Sequence, residues 1–144
     1  MIAVTDVLRT DLDGLARLYE ELVGKPTNLA KMQDNFVWMH SNPDYIILAA
    51  KDEGRVVGSL MGVICHDLAG ACRPFMVIEN VIVAGSYRGT GVGKLLMQKI
   101  EEIAKDRDCY YTMFVSRGDR KDAHQFYASL GYSLDLVQGF KKYL

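Results

Sequence analysis

The sequence predicts a layered α/β domain, a mixed sheet with helices on both faces. Three observations carry this expectation. Apolar residues recur at helical spacing in four separate stretches. The period changes in the middle of the chain to short β-rich runs. Strand-like and helix-like stretches then alternate towards the C-terminus.

A short strand is expected near residues 2–4, followed by a helix over 11–23. There Leu12, Leu15, Leu18, Tyr19 and Leu22 recur at three- and four-residue steps until "GKP" breaks the pattern. A second helix is expected over 28–40, with Leu29, Met32, Phe36 and Met39 on one face and Asn28 or Thr27 as its cap. "DYIILAAKDEGRVVGSLMGVI" reads as two strands around Asp52-Glu53-Gly54, a hairpin. "HDLAGACRP" is a loop. "FMVIENVIV", 75–83, is the strongest strand, apolar on both faces except at Glu79 and Asn80. A helix over 91–106 keeps Val92, Leu96, Ile100 and Ile103 in phase. "CYYTMFV" at 109–115 reads as another buried strand. "DAHQFYASL" is a short helix with Ala123, Phe126, Tyr127 and Leu130 in phase, and "GFKKYL" reads as a closing strand. The expected order is therefore β-α-α-β-β-β-α-β-α-β.

The 144 residues fit one domain, 1–144, with no linker-like tract or internal repeat. A chain of this size buries roughly 68–70% of its unfolded surface, so its core needs no covalent staples. Seventeen basic against eighteen acidic residues give a net charge of −1, which argues against a nucleic-acid partner. The longest apolar run, "YIILAA" at 45–50, is far short of the roughly 20 residues of a membrane helix. The N-terminus has no signal-peptide core. Cys65, Cys72 and Cys109 form no CxxC pair and have no histidine at metal-ligand spacing. They read as free thiols in a reducing compartment. A cytoplasmic protein with no metal is expected.

The stretch that bears on chemistry is "SYRGTGVGK", 86–94, with glycines at 89, 91 and 93 between a strand and a helix. A plain turn needs one or two glycines, and each further one costs backbone entropy. Free N–H groups at the start of the following helix, together with its dipole, attract anions. The P-loop pattern fails, because position 88 is Arg where a Gly is required and Leu95 stands where a hydroxyl residue is required. The dinucleotide fingerprint also fails, because its third glycine falls one residue early. What remains is R-x-x-G-x-G, at Arg88, Gly91 and Gly93.

On this loop, on the strand "ENVIV" before it, and on Ala123, Phe126-Tyr127 and Gly131-Tyr132 after it, the sequence resembles the GNAT family of N-acetyltransferases. The resemblance covers nearly the whole chain. It implies a twisted mixed sheet of about six or seven strands, splayed at the fourth, with acetyl-CoA lying in the split. It implies that Val81, Ile82 and Val83 offer backbone groups to the pantetheine arm. It implies that the amides of Gly89, Thr90, Gly91, Val92, Gly93 and Lys94 hold the pyrophosphate, with Arg88 adding charge and shaping the turn. Backbone donors suit a doubly ionised diphosphate without a metal.

The reaction implied is attack of an amine on a thioester, which needs a base, oxyanion donors and an acid for the departing thiolate. The resemblance implies Tyr127 as the acid; by spacing alone it is a core aromatic of a short helix. Glu79 is the candidate base, since burial in an apolar strand would raise its pKa towards working pH. The alternative for Glu79 is a solvent-facing residue or a partner of Arg73. The oxyanion donor is expected to be a backbone N–H, that of Val81. His124 reads as a packing or cofactor-contacting residue more readily than as a second base. Arg120 departs from the Asn that many relatives carry there, and Arg120 or Lys121 would meet a CoA phosphate or simply face solvent. The acceptor implied is a primary amine of a small molecule or peptide; the alternative within enzymology is a longer acyl donor, or a protein N-terminus or lysine as acceptor. A CoA-binding regulatory or interaction module is the reading from outside enzymology. The resemblance makes a homodimer a common assembly, and no feature of the sequence names the acceptor.

Overall fold

The structure, a computed structural model, describes all 144 residues. The chain divides into two compact units, Met1–Met113 and Phe114–Leu144.

The first unit holds one five-stranded sheet in the order β1-β2-β3-β4-β5. Its strands are β1 (Ile2–Asp6), β2 (Tyr45–Asp52), β3 (Arg55–Cys65), β4 (Phe75–Val83) and β5 (Thr112–Met113). The first four pair antiparallel with their neighbours, and β5 joins β4 in parallel. Three helices belong to this unit: α1 (Leu12–Val23), α2 (Leu29–His40) and α3 (Val92–Asp106). Asn28 caps α2, accepting from the Lys31 N–H at 3.1 Å. Gly24, in a left-handed conformation, ends α1. The β2–β3 hairpin turns through Glu53 and Gly54, both at positive φ, the geometry that matches strand twist in a two-residue loop.

The two faces of the sheet are told apart by β3. Gly58 and Gly62 lie under α3. A methyl built on Gly58 would stand 2.9 Å from Val92 Cγ1, and one on Gly62 would stand 2.8 Å from Ile100 Cδ1. Glycine therefore lets α3 lie close on the strand, and Val92, Leu96, Met97 and Ile100 are buried there. Ser59 points the other way, towards α1 and its Tyr19. Val7, Leu12, Leu15, Phe36 and Ala49 form the core on that side.

An ion pair is enclosed near the start of α1. Lys51 Nζ lies 2.6 Å from Asp11 Oδ2, with the two side chains only 14% and 8% exposed. Asp11 Oδ2 also accepts the Leu8 N–H at 2.7 Å, so the carboxylate holds the turn that precedes the helix.

In the second unit the only regular element is α4 (Lys121–Ser129). A cluster of rings surrounds it: Phe114 lies 4.3 Å from Tyr127 and 4.8 Å from Tyr132, centroid to centroid.

The fold class matches the expectation from sequence, with one strand shortened and one missing. The buried strand expected over 109–115 shrinks to Thr112–Met113, and Tyr110 is 70% exposed. Its apolar run reflects aromatic stacking at the surface, where Tyr111 lies 5.1 Å from Phe75, rather than burial. The closing strand expected at "GFKKYL" does not form. Those residues carry no regular structure, and Phe140 and Tyr143 are exposed, because strand-like composition specifies a strand only where an edge receives it. Five strands result rather than six or seven.

Candidate functional site

β4 is irregular at its centre. Met61 of β3 pairs with Glu79, and Ser59 pairs with Ile82. One residue of β3 thus faces two of β4, Asn80 and Val81, which makes a β-bulge. Asn80 adopts φ +56°, the left-handed region that Asn tolerates better than most residues. The bulge reverses the alternation. Ile78 shares the α3 face with Gly62 before it, and Val83 shares that face with Gly58 after it.

On the α1 side the bulge faces Tyr19. The Tyr19 hydroxyl lies beside the side chains of Ser59 and Asn80. Ser59 Oγ in turn donates to the Leu48 carbonyl at 2.7 Å. Burial pushes the Tyr19 pKa up, against the pull of those two neighbours, so this hydroxyl stays neutral.

β4 has a strand neighbour on both sides only at Met76 and Val77, where it pairs with β5. From there to Val83 its sheet partner is β3 alone. Val81, Ile82 and Val83 lie along this stretch. The Val83 carbonyl accepts from Arg88 Nε at 3.3 Å, so Arg88 folds back on the strand and closes the turn into the glycine loop.

The loop begins with a 3-10 turn at Gly85–Tyr87. Gly89 at φ +75° and Gly91 at φ +91° both need the left-handed region. A methyl built on either would meet nothing within 4 Å, so the requirement within the chain is conformational rather than steric. Gly91 caps α3, and its carbonyl accepts the Leu95 N–H at 3.1 Å. The amides of Gly89, Gly91, Val92, Gly93 and Lys94 have no partner within the protein. They form a row of donors at the positive end of a 15-residue helix. Thr90 departs from the expectation: its N–H and its hydroxyl both turn back to the Tyr87 carbonyl, so it is spent on the turn.

Glu79 also departs from the expectation. It is exposed, so the burial on which the argument for a raised pKa rested is absent. Through its pairing with Met61 it lies on the sheet face of Ser59 and Tyr19. It forms no ion pair with Arg73, which instead binds Asp108 at 3.1 Å and lies over the Tyr110 ring.

In the second unit Tyr127 is 8% exposed and packed among Phe114, Phe126 and Tyr132. Burial pushes its pKa up, with Arg120 pulling the other way. Its hydroxyl makes no hydrogen bond within the protein. A phenol in this state is protonated at neutral pH and has a proton to give. His124 Nε2 is 2.8 Å from the Arg117 carbonyl, which ties it to the loop before α4. Arg120 is the exposed N-terminal boundary residue of α4.

The sequence carries no signal for what the Tyr19 and Tyr87 hydroxyls meet. Tyr19 lay in a helical apolar stripe and Tyr87 beside a glycine loop, and no local pattern marks the partner of either hydroxyl.

Comparison with known proteins supplies the lineage. The model of the acetyltransferase (GNAT) family matches residues 12–132. A glucosamine 6-phosphate N-acetyltransferase of Trypanosoma brucei brucei is 35% identical over 79 residues, 55% of this chain and 52% of that protein. The chain spans about half the length of the curated relatives it matches. An Agrobacterium tumefaciens str. C58 protein, provisionally named an acetyltransferase, superimposes with a TM-score of 0.92 at 27% identity, over 99% of both chains. The structure of AAC(6')-Iy with the bisubstrate analogue CoA-S-monomethyl-acetylneamine superimposes with a TM-score of 0.81 at 18% identity, over 100% of this chain and 99% of that one.

Proposed function

The chain belongs to the GNAT acetyltransferase family, and on that premise we propose that it transfers the acetyl group of acetyl-CoA directly to a primary amine of a small molecule or peptide. The observation that carries the reading is the row of unpartnered amides at Gly89 and Gly91–Lys94 beside a strand with an unpaired edge. Such a row binds a diphosphate without a metal.

Residues 1–144 then act as one acyltransferase domain. The main chain of Val81, Ile82 and Val83 receives the pantetheine arm, and Arg88 adds charge beside the diphosphate. The amine nitrogen attacks the thioester carbonyl carbon, and the carbonyl electrons are held by a main-chain N–H at the bulge, that of Val81. As the tetrahedral centre collapses, the carbon–sulfur bond breaks. The amine's proton leaves through Glu79, directly or through water, which its exposure permits. Tyr127 protonates the departing thiolate. His124 and Arg120 are assigned to the cofactor side of α4, with the second His124 nitrogen, Nδ1, as the available contact.

For the acceptor, an amino sugar or its phosphate is the class to try first, because the Trypanosoma relative is named for glucosamine 6-phosphate. The test is thiol release from acetyl-CoA against amino sugars, aminoglycosides, polyamines, amino acids and short peptides. Turnover with one class and calorimetric binding of CoA are expected. Binding of CoA with no thiol release from any class would make the chain a binding module instead. Tyr127→Phe is expected to lower kcat by about 10²-fold or more with little change in KM for acetyl-CoA. Unchanged turnover would remove the acid role. Glu79→Gln at wild-type activity across the pH range would do the same for the base.

A further inference from the structure

We infer that Tyr87 is a positioning residue for the cofactor, clamping the diphosphate loop to the β2–β3 hairpin through Asp52 and Arg55. The inference rests on the acetyl-CoA reading of that loop.

Tyr87 is joined to the rest of the fold at both ends. Its carbonyl receives the Thr90 N–H at 3.3 Å and the Thr90 hydroxyl, so the path from 87 to 90 follows wherever Tyr87 sits. Its phenol donates to Asp52 Oδ2 at 2.7 Å and accepts from an Arg55 guanidinium nitrogen at 2.9 Å. The same guanidinium lies 5.9 Å from the centre of the Tyr87 ring. Asp52 and Arg55 are the paired residues that flank the hairpin turn, so the ring is anchored to a rigid two-stranded end. The hydroxyl is the strongest influence holding the Asp52 carboxyl below its ordinary range, so the acceptor stays ionised and the bond charge-assisted.

The clamp matters because two of the next residues are glycines in the left-handed region. Gly89 and Gly91 are open to alternative backbone conformations, and the unpartnered amides follow immediately. A diphosphate held by several amides binds well only if they already converge, since ordering the loop on binding would cost affinity. Arg55 is also a cation beside an acidic residue next to an anion-binding loop, so Asp52 does not stand as a bare negative charge there.

The experiment compares wild type, Tyr87→Phe, Asp52→Ala and the double variant by titration calorimetry with CoA. It adds initial rates with acetyl-CoA and with acetylpantetheine, a donor that lacks the diphosphate. Each single variant is expected to bind CoA about tenfold more weakly, since each breaks the charge-assisted Tyr87–Asp52 bond; Tyr87→Phe also gives up the Arg55 contact, and Asp52→Ala also frees the Met1 ammonium, 3.2 Å from Asp52 Oδ1. The double variant should fall well short of the sum of the two single losses, because the Tyr87–Asp52 bond is common to both. KM for acetyl-CoA should rise while kcat and the rate with acetylpantetheine hold. CoA affinity within twofold of wild type in both single variants would overturn the inference. So would an equal loss with acetylpantetheine, which would mark a general structural effect. Failure of wild type to bind CoA would instead bring down the acetyl-CoA reading itself, and this inference with it.

Discussion

Gly58→Ala places one methyl where α3 meets the sheet. The new Cβ would stand 2.9 Å from Val92 Cγ1, 3.1 Å from Leu96 Cδ1 and 3.3 Å from the Ile82 carbonyl oxygen. A carbon–carbon contact is relaxed at roughly 3.5–4.0 Å, so the first neighbour must give by more than half an ångström. Val92 is 1% exposed and stiff at χ1, so it has little room to rotate away. The third neighbour is main chain of β4. Relief therefore comes from lifting the first turn of α3 off β3. Overpacking of this kind costs about 1–3 kcal/mol, or roughly 3–10 °C in Tm for a chain of this size. The displaced turn carries the amides of Val92, Gly93 and Lys94, so CoA affinity should fall in the same variant. Thermal unfolding by circular dichroism reads the first effect and titration calorimetry the second. A variant as stable as wild type, with unchanged CoA affinity, would refute the reasoning. It would show that the glycine is not what seats α3.

Two further predictions concern charge. Asp11→Asn leaves Lys51 without its partner in a largely enclosed site and should destabilise the chain by about 3 kcal/mol, read by chemical denaturation. Asp44 is held below its ordinary range, first by His66 at 3.0 Å and then by Arg107 at 2.8 Å. A depressed carboxyl stabilises the fold above its unfolded pKa of about 4 and loses that contribution as pH falls through the lower, folded value. Asp44→Asn should therefore lower Tm modestly at pH 7, given how exposed the network is, with the gap from wild type closing below about pH 4. A gap that stayed constant with pH would point to packing rather than charge.

Much of the site was legible in the sequence because its requirements are local. Gly89 and Gly91 occupy left-handed conformations that β-carbons resist, and a helix that starts there must leave its first amides free. Arg88 reaches only five residues back, to Val83. The period of α1 and α3 and the boundaries of β4 follow from apolar spacing, which needs no distant partner. Glu79 shows where this stops. An acidic residue in an apolar run suggests burial, but exposure depends on which elements cover that part of the sheet, and here none does so fully.

Read alone, the sequence determined the alternation of strands and helices, the family resemblance, and the glycine loop with its row of donors. Tertiary structure decided the rest: the bulge at Asn80, the placing of Tyr19 beside it, and the hydrogen bonds of Tyr87 to residues 32 and 35 positions away. It also decided that the C-terminal residues form no strand. The division has a physical cause. A helix turn or a left-handed glycine is specified by neighbours in the chain, whereas register, exposure and the partner of a hydroxyl are set by segments that meet only after the chain has folded.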